Sequence, residues 1–375
     1  MSQTNFAALT SEQKIIWSKD LWRQARNLSF IDKVTGTDEN SICQRVTELK
    51  KTEAGAKAII TLIADLKGDG TSGDRTLEGN EEAMNVFDKV INIDQLRHAN
   101  RNKGRMADQR TVVKFREVSR NALAYWLSDR IDQLAFLTLA GVSYLYTCDG
   151  RLRTDVMSNN KAFAELAFAA DVTAPTAQRR ATWDPVAKTL NFGAATTDVV
   201  SGNYITWETI QAMKESAKTK YIRGVREQGG EETYHVFLNP RAMLRLKQDP
   251  EYVQNLRFAA ARDSSNPLFS GTTVKIDGMY LHEDRRVYNT LGAASGNKWG
   301  STGTVDGCSI AFCGAQALAM GDLGEPEWVE KEFDYDNQAG ISTGKIFGFL
   351  KPQFQTMYDG DTVQDFGVLN LYTAI

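Results

Sequence analysis

The residues able to do chemistry are few, and their spacing suits none of the usual reactions. The three histidines are His98, His235 and His282. None stands in the HExxH arrangement that places two imidazoles on one helix face around zinc. The four cysteines, Cys43, Cys148, Cys308 and Cys313, lack the close CxxC pairs of a zinc site. Cys308 and Cys313 fit a strand and its buried end instead. Gly340-Ile341-Ser342-Thr343-Gly344-Lys345 approaches a phosphate loop but has three residues between its glycines in place of four. Ile346 also follows the lysine where a Ser or Thr must hold Mg²⁺. Asp65, Asp69, Asp74 and Glu78 could gather a calcium ion. Read from Asp65, however, the third loop position is Lys67 and the twelfth is Thr76, so the EF-hand pattern fails and a solvated loop tip remains. No GxSxG nucleophile elbow occurs. The expectation is a protein without catalytic, cofactor or metal residues.

Charge, in contrast, is organised in blocks. From Asp65 to Asp94 there are eight acidic residues, among them Glu78, Glu81 and Glu82, against three basic ones. From Arg97 to Arg120 there are eight basic residues, among them Arg97, Arg116 and Arg120, against two acidic ones. Such blocks are either solvated faces or complementary contact surfaces, and the elements carrying them decide between these.

The acidic block rides on a β excursion. The apolar run Ala58-Ile59-Ile60-Thr61-Leu62-Ile63-Ala64 leads to a polar tip, Gly68 to Asp74, and the chain returns through Val86 to Leu96 with Val90, Asn92 and Asp94 alternating with Ile91 and Ile93. That alternation predicts a half-buried strand, and the glycine-rich break predicts a turn. An isolated two-stranded ribbon is marginal in water, so this one needs a surface outside itself. The basic block leads into a helix predicted from Thr111 to Ala140, without Pro and stopping at Gly141. Val112, Phe115, Val118, Ala122 and Trp126, then Leu127, Ile131, Leu134 and Thr138, form its apolar stripe. Lys114, Arg116, Glu117, Arg120, Asp129 and Asp132 take the other faces. Thirty residues at helical rise span roughly 45 Å.

Near the start, Thr10 and Gln13 form a candidate capping box, followed by Trp17, Leu21, Ala25 and Leu28 at helical spacing with Trp22 beside them. This short amphipathic helix either packs on its own domain or serves as an arm docking on a neighbour. Past residue 150 the pattern is a mixed α/β lobe. Tyr234–Leu238 reads as a strand, and Asn239-Pro240 and Asp249-Pro250 each open a helix. Asp277-Gly278 is a hairpin turn between short strands. Ser309–Phe312, Glu327–Tyr335, Lys345–Leu350 and Phe366–Thr373 read as further strands. The Gly/Ser/Thr/Asn-rich segment 284–307 is expected to be an exposed loop or insertion.

At 375 residues, 42% apolar and 24% charged, the chain has material for two lobes. A net charge of −3 and pI near 5.8 argue against a dedicated nucleic-acid binder. Four cysteines make no disulfide framework and suit free thiols in a reducing cytoplasm. No stretch approaches the ~20 apolar residues of a membrane span, and the start lacks a signal segment, so a soluble intracellular product is expected.

Longer words carry a resemblance. Trp17-Ser18-Lys19-Asp20-Leu21-Trp22, Thr35-Gly36-Thr37-Asp38-Glu39-Asn40 and Leu77-Glu78-Gly79-Asn80-Glu81-Glu82 recur in a known family. So do Ile93-Asp94-Gln95-Leu96-Arg97-His98-Ala99-Asn100 and Gly104-Arg105-Met106-Ala107-Asp108-Gln109. On these the whole chain resembles the major capsid proteins of tailed bacteriophages, in particular the coat proteins of podoviruses like coliphage N-four. The resemblance implies an α+β fold, shared with herpesvirus coats and encapsulins. It implies an N-terminal arm (1–50), an extended β loop (51–110), a spine helix opening the peripheral domain (111–150) and the continuation of that domain (151–230). An axial domain (231–325) and return strands (326–375) complete it. The implied function is a self-assembling shell of hexamers and pentamers around double-stranded DNA, with portal, possible scaffolding or decoration partners, and only non-specific contact with DNA. The implied location is the virion, after synthesis in the host cytoplasm. No cofactor is implied, and no lysine can be assigned to a covalent cross-link. Trp17, Leu21, Trp22, Glu78, Glu81, Glu82, Arg97, Arg116 and Arg120 are the expected subunit-contact residues, with the acidic loop meeting the basic start of a neighbour's spine helix. The alternatives are an encapsulin-like cargo compartment and an intracellular α+β enzyme with an unrecognised site.

Overall fold

A computed structural model describes residues 11–47, 57–63, 68–82, 86–106, 114–156, 162–227, 230–259, 274–356 and 362–375. Its frame is the helix Phe115–Ala140, here called the spine, which ends as its sequence predicts. Gly141 takes a left-handed conformation (φ 66°), and its N–H reaches the carbonyls of Leu137 and Thr138. A Cβ at this position would sit 2.4 Å from the Thr173 carbonyl oxygen, so glycine is required sterically as well as for its φ. Thr111 and Val112, expected in the helix, lie outside the described residues. Leu127, Ile131, Leu134 and Thr138 are buried as expected. Upstream the buried line shifts by one residue, to Ser119, Leu123 and Ala124, leaving Val118 exposed. On this face Asn100 Nδ2 donates to Ser119 Oγ at 3.1 Å.

Two sheets flank the spine. The six-stranded sheet runs Thr35–Gly36, Cys43–Val46, Leu318–Asp322, Gln338–Leu350 and Glu327–Phe333, with Asp94–Arg101 pairing Gln338–Leu350 as well. The eight-stranded sheet runs Val274–Ile276, Met279–Glu283, Glu232–Leu238, Gly307–Cys313, Val368–Ala374, Arg180–Asp184 and Thr189–Phe192. Val225–Arg226 pairs Glu232–Leu238 off that path. The spine contacts both sheets, through Gln338–Leu350 and through Gly307–Cys313. Asn370 Nδ2 pins the terminal strand to the helix by donating to the Leu139 carbonyl at 3.0 Å. The expected return segment 326–375 therefore divides: Glu327–Phe333 and Gln338–Leu350 lie in one sheet, Val368–Ala374 in the other.

Local punctuation places the rest. Asn239 accepts from Arg241 N at 3.0 Å and opens Pro240–Gln248. Asp249 accepts from Glu251 N at 3.2 Å and opens Pro250–Ala259. Asp277 (φ 46°) and Gly278 (φ 73°) supply the positive-φ pair of a tight hairpin, with Ile276 opposite Met279. Segment 284–307 meets the expectation of an exposed insertion only in part: residues 294–297, 301, 302 and 304 are exposed. It has little regular structure, yet Val287, Thr290 and Trp299 are buried, and Trp299 stacks edge-on against Tyr372 at 5.1 Å. The buried side chains tie the segment to the sheet while its small polar residues at 295–297 and 301–304 face outward or lie half-buried.

Candidate subunit-contact surfaces

The β excursion forms as predicted: Lys57–Ile63 pairs antiparallel with Val86–Asn92, Lys57 opposite Asn92 and Ile63 opposite Val86. The ribbon's surface partner is in part its own chain. Ala58, Ile60 and Ile91 pack on Ala319 and Phe366. Gly321, lacking a side chain, lets Ile93, Ala58 and Ile91 settle onto the strand. The opposite face stays open, with Ile59 50% and Val90 44% exposed. The strand expected to run from Val86 to Leu96 breaks at Ile93, and Asp94–Arg101 then joins the six-stranded sheet. Asp94 itself accepts from Ala167 N at 2.8 Å, so this carboxylate serves its own chain.

Beyond the ribbon, residues 68–82 are all exposed except Thr71. Several hydrogen bonds close within the loop. Glu82 accepts from Gly68 N at 2.6 Å, Glu81 from Gly79 N at 2.8 Å, and Asn80 N donates to Leu77 O at 2.9 Å. Glu78 is exposed, and Leu77 is 61% exposed at the turn. The loop thus has a defined shape and presents acid around one apolar side chain. Asp65 lies outside the described residues, and no cluster able to hold a metal occurs among the described ones.

The expected basic counterpart is partly engaged elsewhere. Arg116 forms a two-pronged pair with Glu330, both bonds 2.9 Å. Arg120 lies over the Trp17 ring at 5.1 Å and within 4.0 Å of Asp20. Both guanidinium groups therefore fasten the spine to the arm helix and to Glu327–Phe333 of their own chain. Arg97 is exposed opposite Gly344, and no carboxylate among the described residues lies within ion-pair distance of it.

The arm helix, Ser11–Leu28, lies on the spine; Thr10 of the expected capping box is outside the described residues. Leu21 is fully buried and Ala25 nearly so, whereas Leu28 is exposed. The docking face expected on a neighbour is, for Leu21, spent inside the subunit. Trp17 meets Trp328 at 5.7 Å, and Trp22 covers Lys345, whose Nζ is 3.8 Å from the ring centre. Both tryptophans keep partial exposure.

Two buried charged groups lie beneath the arm, Asp132 on a helix face outside the apolar stripe and Lys345 on a strand. Asp132 is fully buried. It accepts from Ser29 Oγ at 2.6 Å, Phe30 N at 2.9 Å and Ile31 N at 3.1 Å, and it pairs closely with Arg286. Burial pushes its carboxyl above the usual range, opposed by Arg286 and these donors. Lys345, from the would-be phosphate loop, is a buried strand residue bonded to Asp322 at 2.6 Å and to the Gly324 carbonyl at 2.7 Å. Burial lowers its pKa and Asp322 opposes the shift. No sequence signal marks either network beyond a charge in an apolar neighbourhood.

The other reactive types are structural. Cys43, Cys148 and Cys308 are buried with thiols pushed up to about 12 by desolvation, and Cys313 is raised still further by the same cause. Such thiols are inert. His98 stacks on Trp126 at 4.6 Å. His235 and His282 stack across neighbouring strands with their rings 8° apart, joined Nδ1 to Nε2 at 2.8 Å.

The spine helix contacts both sheets, the arm helix lies on it, and an exposed acidic loop joins the two strands of the ribbon. The family model described as phage capsid protein matches residues 5–375. The chain belongs to this phage capsid protein family. It is 57% identical over 371 residues to the major capsid protein of Pseudomonas phage KPP25, covering 99% of this chain and 97% of that one. Among solved structures, the capsid of Ralstonia phage GP4 matches with a TM-score of 0.73 at 25% identity, over 92% of this chain and 90% of that one. The cyanophage Pam1 capsid shares the fold at TM-score 0.70 and 18% identity, over 100% of this chain and 96% of that one. The chain is the major capsid protein of a tailed-phage head, a structural protein of the virion. No helix among the described residues is long and apolar enough to cross a membrane.

Proposed function

We propose that copies of this chain close into an icosahedral shell of hexamers and pentamers around double-stranded DNA, in a host cytoplasm where the subunit is made. The observation that carries this reading is the end-to-end agreement, 57% over 99% of the chain, with a phage major capsid protein. One chain repeated around symmetry axes makes heterologous contacts that close into rings. Interfaces of the standard ~1,600 Å² can each be modest and still sum to a strong shell. The arm (1–50), loop (51–110), peripheral (111–230) and axial (231–325) regions are the proposed working parts, with 326–375 shared between the last two. Trp17, Trp22, Glu78, Glu81, Glu82 and Arg97 are the proposed contact residues that retain surface for a neighbour. Leu21, Arg116 and Arg120 act in this reading by holding arm and spine together within the subunit. Portal and scaffolding or decoration proteins are the proposed partners. DNA contact is non-specific, in keeping with the net charge of −3, and the chain has no catalytic role. Negative-stain images of the expressed protein test the reading: closed shells are expected, and dispersed monomers would overturn it. A genome inside particles from infected cells separates a virion from an encapsulin-like compartment.

A further inference from the structure

We propose that a basic cleft beside the arm helix binds a small polyphosphorylated molecule of the nucleoside triphosphate class. The cleft, of about 500 Å³, lies between the arm helix, the turn after it and Glu325. That volume falls within the ~300–1,000 Å³ of sites that take small molecules. Lys19, Arg23 and Arg26 recur at i, i+4 and i+7, which places them on one helix face, and Lys33 joins them from the following turn. At helical rise the first three span roughly 10 Å. Trp22, also on this face, supplies an aromatic lining between the cations.

The local charge does not cancel within the cleft. Two carboxylates line it, Asp32 and Glu325, against four cations. Asp32 is already held by Arg26 at 2.7 Å and by Arg45 at 2.6 Å. Arg23 reaches Asp20 at 3.0 Å, but Asp20 also lies 4.0 Å from Arg120, and the Arg23 side chain remains 77% exposed. Lys19 and Lys33 are exposed, with no carboxylate among the described residues in ion-pair distance. Three cations thus line one concavity without a buried counter-charge. That is the setting for a multivalent anion, whose oxygens accept from ammonium and guanidinium donors together.

The aromatic wall narrows the class of anion. Lys345 Nζ lies 3.8 Å from the centre of the Trp22 ring and braces it, while the ring keeps partial exposure where it lines the cleft. A flat base stacks on such a ring, and stacking tolerates any base, so the phosphates and not the base identity set the class. Bound phosphates bridge Lys19 and Arg23 of the arm helix to Lys33 of the turn. Occupancy therefore ties the arm to the body and stabilises the subunit. Every lining residue belongs to one chain, so the site exists in a free subunit and does not depend on the shell reading.

Titration calorimetry of the unmodified subunit at about 0.15 M salt tests the site with ATP, inorganic triphosphate, adenosine and a duplex DNA fragment. ATP is expected to bind about fivefold or more tightly than inorganic triphosphate, the gain from stacking one base, and adenosine alone is expected not to bind. Lys19→Gln with Lys33→Gln should weaken ATP about tenfold, through the loss of two charge-assisted contacts. Both side chains are exposed, and an unchanged urea midpoint without ligand verifies that this variant folds. Trp22→Leu should bring ATP down to the affinity of inorganic triphosphate and leave triphosphate itself unchanged. A merely loosened arm would weaken both. ATP should also raise the melting temperature of the unmodified chain with rising concentration and leave that of the lysine variant unmoved. Absent ATP binding, equal affinity for ATP and inorganic triphosphate, or undiminished affinity in the lysine variant overturns the proposal. So does duplex DNA that displaces ATP at equal phosphate concentration, which would give the cleft to a nucleic-acid backbone. None of these results bears on whether shells close, which the negative-stain images decide.

Discussion

Removing the Asp132 carboxylate should loosen the arm more than any surface change. Asp132→Ala leaves the Phe30 and Ile31 N–H groups and the Ser29 hydroxyl without their acceptor. It also takes from Arg286 a fully buried partner. Breaking a buried ion pair from one side costs about 3–5 kcal/mol, because the remaining charge is left uncompensated. Arg286 is partly protected, since Asp284 still accepts from Nε at 2.9 Å and Nη2 at 2.7 Å. The stranded backbone donors add roughly 1–3 kcal/mol. The working figure for Ala is therefore about 4 kcal/mol, a large part of a typical total stability of about 5–15 kcal/mol. Asp132→Asn keeps the shape and one acceptor oxygen and should lose about half as much. Urea midpoints of isolated subunits measure both variants, and an unchanged m-value shows that stability alone has moved. The loss should coincide with faster tryptic cutting at Lys33, beside the Asp132-bound turn. A loss below about 1 kcal/mol for Ala, or a cutting rate equal to the unmodified chain, would refute the argument that this carboxylate holds the arm.

Other outcomes follow from the same packing. His235 and His282 are held by burial at about 4, against an ordinary 6.5, so both stay neutral in the fold while the unfolded chain takes up protons. Their contribution is complete above about pH 6.5 and is lost as pH falls towards 4, worth up to ~3 kcal/mol per imidazole. His282→Phe keeps a ring beside Phe30 and Phe237 and should roughly halve the slope of urea midpoint against pH in that window; an unchanged slope contradicts it. Trp22→Ala should cost the isolated subunit about 2 kcal/mol, a part of the ~3–5 of a full core truncation, because the ring shields buried Lys345. A drop in assembly with no change in subunit melting would reverse that assignment. Trypsin should cut at exposed Arg75 in free subunits and be blocked in shells, and equal cutting in both would remove the loop from the interface.

The sequence by itself determined what short-range sterics can determine. Gly141 stops the spine, Asn239-Pro240 and Asp249-Pro250 start helices, Asp277-Gly278 turns a hairpin, and the polar tip at 68–74 divides two strands. Each depends on φ/ψ preferences or on a bond to a residue two or three positions away, and such interactions survive without knowledge of the rest of the chain. Longer words such as Leu77–Glu82 carried the family, and with it the fold. The tertiary structure decided the fate of the charges. Helical periodicity places Asp132, Arg116 and Arg120 outside the apolar stripe, yet Asp132 meets Arg286, which lies 154 residues away, and Arg116 meets Glu330 across 214. Glycine and serine in 284–307 suggest solvent, and Ser295, Gly296 and Ser301 are exposed, yet Trp299 in the same segment packs on Tyr372 of the terminal strand. A charge is expensive to bury alone and tolerable when partners satisfy it. Those partners come from remote elements, so no local pattern could state which charged residues would be drawn inside.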